Sequence, residues 1–353
     1  MSRTLLITAG GTGGHVFPGL AVADAVRDAG WRVVWLGAKN GMEAKLVPAR
    51  GYEMAWVRAG ALRGKGLLTQ LLLPLNLLIG FWQSARVILQ HRPDVVLGLG
   101  GYVAFPGGMM ASLLARPLAV HEQNAIAGLT NRILAGVADR VLVAFPGTLK
   151  NAEWTGNPVR AEIAHLAPPA ERFAGRGGPL RLLVIGGSLG AQALNEGVPR
   201  ALASMPPAER PRVVHQAGEK HLAALQRLYR DAGVEGELLG FIDDMAARYA
   251  ETDVIVCRAG ATTVAEIAAA GIASLLVPYP HSVDNHQTIN ARFLADRGAA
   301  LLIPQAELTA QRLAEVLGGL TRERLLAMAQ AARAAGRPEA TRAVAQACME
   351  LAA

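Results

Sequence analysis

Thr4-Leu5-Leu6-Ile7-Thr8-Ala9-Gly10-Gly11-Thr12-Gly13-Gly14-His15 opens the chain, and Leu180-Arg181-Leu182-Leu183-Val184-Ile185-Gly186-Gly187-Ser188-Leu189-Gly190-Ala191 restarts the same pattern halfway along. Each stretch is a short apolar run that ends in paired glycines and a small hydroxylated residue. An apolar run without polar alternation suits a strand buried on both faces, as in a parallel sheet covered by helices. Glycines at its end let the backbone turn tightly into a helix whose first N–H groups favour an anion. Two such units in tandem predict an α/β chain made of two doubly wound, Rossmann-like domains with parallel sheets.

Working outward from the first stretch, a helix is expected over Pro18–Asp28. Strands are expected at Arg32–Leu36, Asp94–Leu97, Leu118–His121 and Arg140–Ala144. From the second, further strands are expected at Arg212–His215, Glu237–Leu239, Asp253–Cys257, Ser274–Val277 and Ala300–Ile303. A hinge at Gly156-Asn157-Pro158-Val159-Arg160 divides the chain into domains 1–160 and 161–337. A last helix over 338–353 is expected to pack back on the first domain.

The bulk properties agree. A length of 353 residues, 52% hydrophobic and 18% charged, describes a globular chain of two domains. The net charge of +7 attracts phosphates, an anionic membrane or nucleic acid. The cations are dispersed, without the interleaved aromatics of a nucleic-acid surface, so nucleic acid is not expected as a partner. Two cysteines, Cys257 and Cys348, form no CxxC or His cluster, so a disulfide framework or zinc site is not expected. The N-terminal apolar run reads as a first strand rather than a signal peptide. Leu67–Trp82 is shorter than the roughly 20 apolar residues of a spanning helix and is broken by Thr69, Gln70, Pro74 and Asn76.

Two common nucleotide motifs are excluded. The dinucleotide fingerprint GxGxxG requires glycine where Val16 stands, and an acid where the second strand ends in Trp35-Leu36-Gly37-Ala38. Neither glycine loop ends in the Lys-Ser or Lys-Thr of a phosphate-binding P-loop. Other polar loops fall at strand ends, where ligands bind in such sheets. They are Gly98–Tyr102, His121-Glu122-Gln123-Asn124, Arg258–Thr263 leading to Glu266, and Asp284-Asn285-His286-Gln287. Each alone is equally consistent with turn and cap chemistry. Together they offer backbone cradles for phosphates, a carboxylate for ribose hydroxyls and amides for a sugar. Asp243-Asp244 reads as a helix start before Met245 rather than a metal site.

Gly10–Pro18, Gly100-Gly101-Tyr102, His121–Asn124, Thr155–Arg160, Gly186–Ala191 and Arg258–Ala261, in this order, resemble the MurG family of bacterial N-acetylglucosaminyltransferases. The resemblance implies the GT-B architecture, two facing Rossmann-like domains with a cleft between them. It implies an inverting transfer of GlcNAc from UDP-GlcNAc to the 4-hydroxyl of the MurNAc residue of lipid I. The products would be lipid II and UDP, in cell-wall peptidoglycan synthesis and hence in cell shape and division. No metal or other cofactor is implied.

Carried over by motif, Ser188 would meet the diphosphate, Glu266 the ribose hydroxyls and Ile242 the uracil through its backbone. Ala261, Thr262, Thr263, Val264 and Ala265 would meet the nucleotide-sugar, and Arg160 with His286 or Gln287 would complete the donor site. Asn124 would contact GlcNAc, while Thr12, Gly13 and Gly14 would close over donor or acceptor phosphates. His15 is the first candidate for general base, since imidazole titrates near neutral pH, and Glu122 is the second; His15 is also placed to bind the acceptor's pyrophosphate.

Leu71, Leu72, Leu75, Ile79 and Trp82 recur at helical spacing beside Arg63, Lys65 and Arg86, as suits either a core-facing helix or adsorption to an anionic bilayer. The family's lipid-linked acceptor implies peripheral attachment to the cytoplasmic face of the inner membrane, near other cell-wall synthesis proteins. Rival readings are a UDP-GlcNAc 2-epimerase, a diacylglycerol glycosyltransferase, or a non-catalytic basic protein on RNA or a membrane.

Overall fold

The computed structural model of the chain describes residues 2–58, 73–187 and 190–353. It divides into two compact units, Met1–Arg160 with Glu339–Ala353, and Ala161–Pro338.

The first unit is built on β1 (Thr4–Ala9), β2 (Arg32–Gly37), β3 (Glu53–Trp56), β4 (Val95–Gly100), β5 (Leu118–Glu122), β6 (Arg140–Val143) and β7 (Glu153–Trp154). They pair in parallel in the order β3-β2-β1-β4-β5-β6-β7. Successive residues feed opposite cores: Leu5, Ile7, Val95 and Leu97 enter one, Leu6 and Val96 the other. That two-sided burial is why the strands read as unbroken apolar runs. β3 and β7 were not expected from the sequence. Both are short edge strands, and exposed Glu53 and Trp56 leave β3 without an apolar run.

The helix after β1 spans Gly13–Asp28 rather than beginning at Pro18. Thr12 is its extended N-cap, and Pro18 sits inside it, where its missing N–H leaves one carbonyl of the first turn without its helical partner. The early start places Gly13, Gly14 and His15 in the first turn. The Ala340–Leu351 helix packs on this one, adding Val344, Ala345, Ala347 and Cys348 to the same core. Thr341 Oγ1 fastens it by donating to the Val159 carbonyl at 2.8 Å.

Between β3 and β4 runs the helix Leu73–His91. Ser84, Val87 and Ile88 are buried, and Phe81 meets Phe105 edge-on at 5.6 Å. Leu75, Leu78, Trp82 and Leu89 are exposed, with Arg86 over the Trp82 ring. The helix therefore has a packed face and an exposed apolar face. Leu71, Leu72, Arg63 and Lys65 lie outside the described residues. Among the described residues no helix is long and apolar enough to cross a membrane.

The second unit repeats the plan with β8 (Arg181–Ile185), β9 (Arg212–Gln216), β10 (Glu237–Leu239), β11 (Val254–Cys257), β12 (Ala273–Leu276) and β13 (Ala300–Leu302). All are parallel, in the order β10-β9-β8-β11-β12-β13. In both sheets the order reverses beside the first strand, between β1 and β4 and between β8 and β11. A doubly wound sheet opens a ligand crevice at this switch, beyond the carboxyl ends of the strands.

Candidate active site

In the first unit the switch point is formed by the Gly10–Gly14 turn and the end of β4. Gly11 takes φ +92°, and its N–H donates to Glu43 Oε2 at 3.0 Å. The other oxygen of Glu43 accepts from Ala38 N at 3.0 Å, and the carboxylate is wholly buried. A Cβ on Gly10 would lie 2.5 Å from Glu43 Oε1, so glycine there makes room for the carboxylate. An acid does follow β2, but it binds loop backbone rather than standing free for a ribose. Sequence reasoning missed Glu43 because nothing in its neighbourhood marks a residue that pairs with a distant turn.

Gly100 and Gly101 have a packing reason to be glycine. A Cβ on Gly101 would stand 2.3 Å from the Gly10 carbonyl, and one on Gly100 would stand 3.0 Å from Cε1 of His15. The two glycine turns thus interlock, and the His15 ring lies against Gly100. His15 Nδ1 is 2.7 Å from Gln123 Oε1.

The His121–Asn124 segment differs from the expected polar loop of four hydrogen-bonding side chains after a strand. His121 and Glu122 lie inside β5, and both are buried along with Gln123. His121 Nε2 meets the Gly156 carbonyl at 2.9 Å, and burial pushes the imidazole pKa down to about 4. Glu122 is 1% exposed. Its Oε1 accepts from Asn124 N at 2.9 Å and Asn124 Nδ2 at 3.3 Å, and its Oε2 from Gly128 N at 3.1 Å and Asn131 Nδ2 at 2.8 Å. Both oxygens of the carboxylate are thus taken up by hydrogen bonds from its own loop and from Asn131 in the helix Leu129–Leu134. Glu122 therefore shapes the loop that presents half-buried Asn124. Thr12, Gly13 and Gly14 flank His15 at the partly open mouth of the turn, while Arg160 is half-buried at the end of the unit.

In the second unit the equivalent switch point joins the ends of β8, β11 and β12. Gly187 and Gly190 take φ +82° and +76°, and a Cβ on Gly190 would lie 1.9 Å from the Ala217 carbonyl. Ser188 lies outside the described residues. After β11, the Arg258 guanidinium donates to the Val277 and Pro278 carbonyls at 3.1 and 3.3 Å and to Gln305 Oε1 at 2.6 Å. It also covers the Tyr279 ring at 5.5 Å.

Gly260 then caps the helix Ala261–Ala270. Thr262, Thr263 and Ala265 are partly open, whereas the Ala261 and Val264 side chains are buried, so these two offer a ligand backbone only. Thr262 Oγ1 is buried and has no hydrogen-bond partner among the described residues. Glu266 is 8% exposed, and its Oε2 accepts from Tyr249 OH at 3.2 Å. Gln287, in the first turn of the helix His286–Ala295, joins two loops, its Oε1 accepting from Ala259 N at 3.2 Å and Tyr279 N at 2.9 Å. His286 is half-buried beside it, and Ile242 is buried. Asp244 caps the helix Met245–Glu251, accepting from Ala247 N at 2.9 Å.

A cavity of about 1200 Å³ in this unit is lined at the opposite, amino ends of β8 and β9, by Arg181, Arg212 and Arg230 among others. It holds none of the loop residues above, and the carboxyl-end rule places the ligand site elsewhere.

Two family profiles match the chain: the glycosyltransferase family 28 N-terminal domain over residues 5–143 and the glycosyltransferase family 28 C-terminal domain over residues 181–347. A protein of Aromatoleum aromaticum is 67% identical over 99% of this chain and 98% of its own length. One of Azoarcus sp. is 64% identical over 99% and 98%. Both are named UDP-N-acetylglucosamine--N-acetylmuramyl-(pentapeptide) pyrophosphoryl-undecaprenol N-acetylglucosamine transferase. Among solved structures, MurG of Acinetobacter baumannii superimposes with a TM-score of 0.86 at 39% identity, over 99% of each chain.

Proposed function

The chain belongs to glycosyltransferase family 28, and from that premise we infer that it transfers GlcNAc from UDP-GlcNAc to the MurNAc 4-hydroxyl of lipid I, releasing UDP and forming lipid II. The observation that carries this is the 67% identity, along nearly the whole of both chains, to a relative named for that reaction. The epimerase, diacylglycerol-transferase and non-catalytic readings have no comparable support.

The donor is assigned to the second unit. The diphosphate falls to the Gly186–Gly190 turn, with Ser188, and to the start of the Ala261–Ala270 helix, where backbone N–H groups and the helix dipole oppose the charge of departing UDP. The partnerless Thr262 hydroxyl supports a polar ligand at that turn. Glu266 is assigned to the ribose and Ile242 to the uracil, with Gln287, His286 and Arg160 completing the donor contacts. Since Gln287 Oε1 already holds Ala259 and Tyr279, its amide nitrogen is the atom left for the sugar.

The acceptor is assigned to the first unit, with Thr12, Gly13 and Gly14 facing phosphate and Asn124 the GlcNAc. The reaction is one in-line displacement. His15 Nε2 takes the proton of the 4-hydroxyl as its oxygen bonds to C1 of GlcNAc, while the bond from C1 to the β-phosphate oxygen breaks and its electron pair leaves with UDP. The exposed Leu75, Leu78, Trp82 and Leu89 beside Arg86 support adsorption to an anionic bilayer, where a lipid-linked acceptor is met.

The test is UDP release from UDP-GlcNAc with and without a soluble lipid I analogue, beside an Asn124→Ala variant. Acceptor-dependent release that the variant loses is expected. Release without acceptor would indicate an epimerase or hydrolase, and tight UDP binding without release would reject the acceptor.

A further inference from the structure

The neighbours of His15 determine which of its nitrogens carries the proton, through a chain of hydrogen bonds that ends at the Gly156 carbonyl. A backbone carbonyl only accepts, so the 2.9 Å contact between Gly156 O and His121 Nε2 puts a proton on that nitrogen. His121 is neutral at physiological pH, its pKa lowered by burial to about 4, so its Nδ1 is an acceptor. Gln123 Nε2 lies 2.9 Å from the His121 carbonyl, which fixes the amide orientation, and 3.0 Å from His121 Nδ1. Both amide protons are thereby engaged. Gln123 Oε1 can only accept, and the atom 2.7 Å from it is His15 Nδ1. His15 Nδ1 must therefore hold a proton. Among the described residues His15 Nε2 has no hydrogen-bond partner, and the ring is seated against Gly100, where a Cβ would come within 3.0 Å of Cε1.

We propose that Gln123 and His121 are positioning residues that hold His15 in its Nδ1–H tautomer, so that the Nε2 lone pair is the one presented to the acceptor hydroxyl. The proposal rests on the reading of His15 as the base. A neutral imidazole offers one lone pair, and without the relay it is free to place that pair on Nδ1, facing into the protein. The Gly156 carbonyl anchors the relay, which gives a reason for a buried histidine and a buried glutamine two residues apart where β5 ends.

The tautomer is read directly from the ¹⁵N shifts of His15 in the wild-type protein near pH 8.5, about two units above the ordinary imidazole pKa. A protonated-type signal at Nδ1 and a pyridine-type signal at Nε2 are expected; the reverse overturns the proposal alone. Gln123→Met keeps the side-chain length and removes both hydrogen-bonding groups. It is expected to mix the two tautomers and to lower kcat about 10-fold or more, a fraction of the ~10²–10⁴ that a general base supplies, while the KM for UDP-GlcNAc stays within about twofold. In a His15→Ala background the same change is expected to cost nothing further, because Gln123 acts only through His15. An unchanged tautomer in Gln123→Met, or a full additional loss in the double variant, rejects the relay. If His15→Ala itself keeps full kcat, the base reading fails instead, and the ¹⁵N result tells the two failures apart.

Discussion

The N–H of Gly11 donates to Oε2 of Glu43 at 3.0 Å, joining the turn after β1 to a buried carboxylate in the helix Glu43–Ala49. The second oxygen holds Ala38 N at 3.0 Å, so one side chain sets the backbone of two turns at the carboxyl edge of the sheet. Gly11 at φ +92° is where the chain departs from ordinary L-residue geometry, and the helix that starts two residues on carries His15 in its first turn.

Glu43→Ala is accordingly expected to leave the part-buried N–H groups of Gly11 and Ala38 without their carboxylate acceptor. Each such bond is worth about 0.5–1.5 kcal/mol net, so urea unfolding is expected to show a loss of about 1–3 kcal/mol, with kcat falling as the His15 turn loosens. Glu43→Gln retains one good acceptor oxygen and is expected to lie between the two. Wild-type stability in Glu43→Ala would mean that the turn holds without its carboxylate.

Acid should destabilise the protein before its carboxylates titrate. Burial lowers His121 to about 4 and His215 to about 3. Both native pKa values lie below the unfolded value near 6.5, so between these limits the unfolded chain binds protons that the native one does not. Stability is then full above about pH 6.5 and falls as pH drops through that window, by roughly 1 kcal/mol per pH unit for each histidine. Urea midpoints at several pH values from about 7 to 5.5, above the ordinary carboxylate range, measure this slope. His215→Asn removes one of the two groups and should halve it; an undiminished slope would assign the proton uptake elsewhere.

How much of this was legible in the sequence follows from the range of the interactions. β1 and β8 read plainly because both faces are buried and the glycines at their ends are adjacent in the chain. β3 and β7 did not, since an edge strand of a few residues leaves neither an apolar run nor an alternation. Pro18 misplaced the helix start because proline favours a first turn, whereas the turn here begins at Gly13. In the site, His15 and Asn124 stood out by residue type and loop position. Glu122 stood out too, but its donors Gly128 and Asn131 arrive from the next turn and helix, and they give the carboxylate a structural task. For the same reason Glu43 was invisible and Gln123 stood out only as one member of a polar loop. Their partners, Gly11 and His15, are distant along the chain and meet them only once the sheet has assembled.

The exposed face of the Leu73–His91 helix yields a membrane prediction. Leu78 and Trp82 are 67% and 62% exposed, so Leu78→Glu and Trp82→Glu are expected to change stability by no more than about 0.5 kcal/mol. Inserting each side chain into a bilayer is worth about 1.5–3 kcal/mol, so each change should weaken binding to anionic vesicles about 10-fold or more. Co-sedimentation with such vesicles, alongside unfolding curves, separates the two effects. Undiminished vesicle binding by both folded variants would remove this helix from the membrane contact.

Glu266 supplies the most direct check on the donor assignment. Its carboxylate is 8% exposed and is steadied at Oε2 by the Tyr249 hydroxyl at 3.2 Å. A carboxylate that accepts from ribose hydroxyls makes charge-assisted bonds worth about 1.5–3 kcal/mol. Glu266→Gln preserves the shape and removes the charge. The KM for UDP-GlcNAc should therefore rise by about 10-fold or more with kcat nearly unchanged, the pattern of a contact equally strong in ground and transition states. Calorimetry with UDP and 2′-deoxy-UDP sharpens the point. The wild-type protein should prefer UDP by a margin that the variant narrows, because the lost hydroxyl and the lost charge belong to the same bond. If the variant keeps the full margin, the ribose is held by another residue, and the Ala261–Ala270 helix meets the nucleotide only through its first turn.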